Sequence, residues 1–61
     1  METYSKLSLA TRRARELSST TGLSYYVACY DDDGQSDYFV VRYPTEDMIV
    51  WRRITEKWKR K

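Results

Sequence analysis

The sequence predicts a small α+β domain in the order α-β-β-α, with two helices packed on one face of an antiparallel β-hairpin. Three observations predict it. A stripe of alanine and leucine at helical spacing runs up to a glycine. Two segments rich in tyrosine and valine flank the polar stretch DDDGQS. The tail, MIVWRRITEKWKRK, sorts its apolar and basic residues onto opposite arcs of a helix. One continuous unit, residues 1–61, is expected, since no repeat or linker interrupts it.

The first helix is expected over residues 5–20. Leu7, Ala10, Ala14 and Leu17 fall at i, i+3, i+7 and i+10, one side of a 3.6-residue period, and Arg12, Arg15 and Glu16 fall away from it. Ser5 or Thr3 can accept the first unpaired amide hydrogens. Gly22 stands where a left-handed residue closes a helix, and Leu23 can fold back on the last turn.

The runs LSYYVACY and DYFVVRY, with DDDGQS between them, predict the hairpin. A two-residue Asp33-Gly34 loop would pair Ala28 with Phe39 and Val27 with Val40, scattering large apolar groups over both faces. A three-residue loop with Gly34 in the left-handed position pairs Val27 with Phe39 and Tyr25 with Val41 instead. One face must be buried, so the second register is expected. It leaves Tyr26, Ala28, Tyr30, Tyr38, Val40 and Arg42 on the outer face.

Read as a strand, the tail mixes an arginine with apolar groups on both faces. Read as a helix, Met48, Val50, Trp51, Ile54, Thr55 and Trp58 share an arc of roughly 160° at about 100° per residue. The cations fill the opposite arc. Thr45 then serves as N-cap, Pro44 and Ile49 as a hydrophobic staple, and Glu46 and Asp47 sit at the positive end of the dipole. A helix is therefore expected, packing Trp51, Ile54 and Trp58 on the hairpin with the first helix. A third strand in its place is the alternative, because Met-Ile-Val-Trp also has high strand propensity.

The composition limits the chemistry. There is no histidine, so the ordinary base near neutral pH is missing. Cys29 lies mid-strand among aromatics, where a thiol packs as an apolar group, and no phosphate-cradling or nucleophile-elbow motif occurs. Asp31, Asp33, Gln35 and Asp37 alternate as in a calcium loop, but Ser36 and Arg42 stand where that loop needs glycine and glutamate. We expect no enzyme, cofactor, metal or small-molecule substrate. A lone cysteine cannot form an internal disulfide and no apolar run approaches the roughly 20 residues of a membrane span, so a reduced, cytoplasmic setting without a membrane span is expected.

Charge is distributed unevenly. Residues 31–47 carry six acidic groups against Arg42, and residues 48–61 carry six basic groups against Glu56. The chain looks like the small accessory proteins that phages and other mobile elements encode, a likeness that no motif carries. Two surfaces are candidates for binding. Tyr26, Tyr30, Tyr38, Val40 and Arg42 form a tyrosine-rich outer face suited to a protein interface, and the hairpin edge could pair with another strand. Arg52, Arg53, Lys57, Lys59, Arg60 and Lys61 form a basic helix face suited to phosphates. The first reading is a non-catalytic interaction module for a protein partner or a second copy, as a homodimer. The alternative is nucleic-acid binding through the basic face.

Overall fold

A computed structural model of the chain describes residues 2–30 and 37–56. It contains one helix, α1 (Leu7–Thr21), followed by three strands, β1 (Tyr25–Cys29), β2 (Phe39–Val41) and β3 (Ile49–Ile54). The sheet is antiparallel, in the order β2-β1-β3. The protein is thus a small α+β domain with the order α-β-β-β. The expected second helix is corrected to the third-strand alternative over residues 49–54, while Trp58 and Lys57, Lys59, Arg60 and Lys61 lie outside the described residues.

The stripe in α1 does what its spacing implies. Ala10 and Ala14 are completely buried, and Leu7 and Leu17 flank them half-buried. Gly22 adopts φ 76°, a left-handed conformation that costs residues with a Cβ, and its amide donates to the Ser18 carbonyl at 2.7 Å. The start of the helix differs from expectation. The residue at the N-cap is Lys6, with no side-chain cap, so neither Thr3 nor Ser5 holds that position. Thr3 is used elsewhere, donating to Asp37 at 3.3 Å. Beside it, Tyr4 and Tyr38 exchange two backbone hydrogen bonds of 2.8 Å, which tie the chain start to the outer side of β2.

The hairpin register is the one the two-residue loop would give. Tyr26 pairs with Val41, Val27 with Val40 and Ala28 with Phe39, which corrects the expected pairing of Val27 with Phe39. Side chains alternate along a strand, so Tyr25, Val27 and Cys29 face one way and Tyr26 and Ala28 the other. The core confirms which way is which. Val27 is fully buried with Ala10 and Ala14, and Tyr4, Leu7, Tyr25, Tyr38, Val40 and Ile54 pack around them. Burying a side chain of the size of Val27 contributes about 1.5–3 kcal/mol.

β3 joins the free edge of β1, pairing Tyr25 with Ile54, Tyr26 with Arg53 and Val27 with Arg52. The register then shifts, so that Ala28 faces Val50 and Trp51 is the extra residue of a bulge. The far end of β3 is pinned to the helix. The Glu56 amide donates to the buried Ser18 hydroxyl at 2.7 Å, and the hydroxyls of Ser24 and Thr55 meet at 2.7 Å.

Candidate functional site

The sheet has one face under α1 and one face away from it. The register puts Tyr26, Ala28, Phe39, Val41, Val50 and Arg53 on the face away from the helix. No described element lies over that face. Ala28 is buried between its neighbours, and Phe39, 3% exposed, meets the tilted ring of Tyr30 at 5.1 Å. Tyr30 and Val50 are exposed, and Tyr26 and Val41 are half-buried. The result is a small apolar surface with a guanidinium at its margin.

The five residues expected on the outer face do not stay together. Tyr26 and Tyr30 are there. Tyr38 and Val40 are on the helix side, in the core with Ala10 and Ala14. Arg42 follows β2 and works within the fold. Its guanidinium donates to the Ser24 carbonyl and to the Tyr43 hydroxyl, and stands 5.6 Å from the Tyr25 ring and 4.7 Å from the Tyr43 ring. It clasps the end of β2 to the start of β1. Phe39, Val41 and Val50 take the places of Tyr38 and Val40, and the strong hairpin signal of Asp-Gly would have revealed the first two.

The basic residues are also redistributed. Arg52 pairs with Val27 and so faces the helix side, whereas Arg53 pairs with Tyr26 and faces the other way. They cannot act as one helix face. Arg52 instead borders an open cleft against α1, lined by Ser8, Thr11, Arg12 and Arg15. On the other flank of the helix a second cleft is lined by Glu2, Tyr4, Arg13, Leu17 and Val40. There Arg13 is 3.9 Å from Glu2 and 3.4 Å from Glu16, so both acids of the N-terminal third lie beside one arginine. Partial burial, and then donation of the Tyr4 hydroxyl to Glu2 at 2.8 Å, hold the Tyr4 phenol above its ordinary pKa.

Trp51, at the bulge, is 42% exposed rather than buried as the helical reading required. Its ring meets Tyr38 edge-on at 6.1 Å, and its indole N–H donates to the Cys29 sulfur at 3.0 Å. Cys29 is buried, so its sulfur is packed inside the fold. Among the described residues no three Cys, Asp or Glu side chains gather as a metal would need, and no helix is long and apolar enough to cross a membrane. No known protein family, curated protein or solved structure matches the chain.

Proposed function

We propose that the protein is a small, non-catalytic cytoplasmic interaction module, and that the sheet face away from α1 is its docking surface. The observation that carries this reading is the one-sided fold. Among the described residues a single helix covers one side of a three-stranded sheet, and the other side exposes Tyr30 and Val50 beside half-buried Tyr26 and Val41. Aromatic residues with a marginal arginine are the composition of a protein contact.

The face is a better docking surface than the edges. β3 carries Arg52 and Arg53 and a bulge at Trp51, each of which opposes strand addition from outside. The outer side of β2 is already bridged by Tyr4. The occupant we assign is a second copy of the chain. Charge supports that choice, because the sequence carries an acidic stretch, 31–47, and a basic one, 48–61, so that each copy offers the other a complementary partner.

Size sets the strength. Five residues along β1 and three strands across span roughly 17 by 14 Å. Even doubled for surface relief, that is on the order of 500 Å² per partner, below the ~800 Å² of a stable complex. An interface of that size belongs with weak, transient contacts. Sedimentation equilibrium at rising concentration should show the 7.3 kDa species doubling in mass by high micromolar concentration. Val41→Lys should hold the protein monomeric with its fold intact. A single 7.3 kDa species throughout would refute the reading.

A further inference from the structure

The cleft between α1 and β3 has a composition that the sheet-face reading does not use. Ser8, Thr11, Arg12 and Arg15 fall at i, i+3, i+4 and i+7, a single stripe of the helix, and β3 brings Arg52 across from them. The cleft holds about 370 Å³. Three guanidiniums line it, and no carboxylate does. Among the described residues the ion pairs all involve Arg13, on the other flank, which leaves Arg12, Arg15 and Arg52 without an acidic partner. The Thr11 hydroxyl donates to the Leu7 carbonyl at 2.8 Å and so has no proton to offer a ligand. The donors that remain are the three guanidiniums and the Ser8 hydroxyl.

Three like charges on one concave surface repel one another, and an anion seated among them relieves that repulsion. Guanidinium is the side chain whose paired N–H groups match the oxygens of a phosphate. We propose that this cleft binds the phosphodiester backbone of a nucleic acid. A polyanion fits better than a single small anion, because the cleft is open and its cations are spread over two elements, Arg12 and Arg15 on α1 and Arg52 on β3. The site requires no base-reading pocket, so it takes nucleic acid without regard to sequence.

The test uses the whole chain and a labelled duplex oligonucleotide, with binding followed by anisotropy across a salt series. Wild type should bind, with an affinity that falls as salt rises. Replacing all three cleft arginines (R12Q, R15Q, R52Q) should reduce the salt slope by about three units, one for each lost phosphate contact. These side chains are exposed, so the circular dichroism and melting of the triple variant should match wild type. Arg13→Gln is the control for charge alone, since Arg13 lies on the other flank beside two carboxylates. Its slope should change by less than one unit. Absence of oligonucleotide binding at low salt overturns the proposal. So does an unchanged slope in the triple variant, a loss in Arg13→Gln equal to that of a cleft arginine, or capture by anionic phospholipid vesicles without capture by oligonucleotide.

Discussion

Replacing Ala14 by leucine tests how α1 is seated on the sheet. Ala14 and Ala10 are both completely buried against Val27, whereas the larger Leu7 and Leu17 sit at the margins of the contact. The two alanines are therefore the points of closest approach, and a leucine at 14 must push the helix outward or force Val27 and Val40 off their rotamers. Overpacking of this kind costs about 1–3 kcal/mol. Leucine and alanine are both good helix formers, so the change acts through packing alone. A domain of this length has a total stability of roughly 3–9 kcal/mol. At about 4–8 °C per kcal/mol, the expected loss in melting temperature is about 5–20 °C. Leu9→Ala is the control, because Leu9 is 42% exposed and should change stability by no more than about 0.5 kcal/mol. Thermal melts followed by circular dichroism read both. An Ala14→Leu protein that melts within a couple of degrees of wild type, by about the same margin as Leu9→Ala, would mean that the helix does not rest on the sheet through this stripe.

Two further outcomes follow from the same structure. Trp51→Ala should cost about 1–2 kcal/mol, through the lost edge contact with Tyr38 and the hydrogen bond to Cys29, rather than the ~3–5 kcal/mol of a fully buried aromatic; a denaturant melt distinguishes the two. Tyr4 holds its proton more tightly folded than unfolded, so its contribution is complete below the ordinary phenol pKa of about 10 and is lost as pH rises through the higher folded value. Tyr4→Phe should therefore soften the loss of melting temperature on the alkaline side and leave the profile near neutrality unchanged in shape.

Much of this fold could be read from the sequence, and the failures have physical causes. The helix was legible because Leu7, Ala10, Ala14 and Leu17 keep one period and Gly22 supplies the left-handed stop. The hairpin was legible as a hairpin. Its register was not, because apolar groups occupy both faces, with Phe39 and Ala28 buried on one side and Val27 and Val40 packed on the other, so a one-sided burial pattern points to the wrong pairing. β3 failed the strand test for a related reason. A bulge at Trp51 breaks the two-residue alternation, and each face still carries an arginine, Arg52 with Ile49 and Ile54 on the helix side and Arg53 with Val50 on the other, which the strand tolerates because it lies at the sheet edge with both arginines exposed. The same tail satisfies a helical wheel, and tertiary pairing with β1 decides between the two. The cleft at Arg12, Arg15 and Arg52 joins positions far apart in the chain, and only the placement of β3 brings them together.

The claim on which the account rests is that the sheet face away from α1 is a contact surface. Concentration-dependent NMR shifts test it residue by residue. Raising the protein from low to high micromolar concentration should move the resonances of Tyr26, Tyr30, Val41 and Val50 along one common binding curve, while Ala10, Ala14 and Ser18 on the buried side of the helix stay fixed. Stationary signals on that face, or shifts confined to α1, would contradict it.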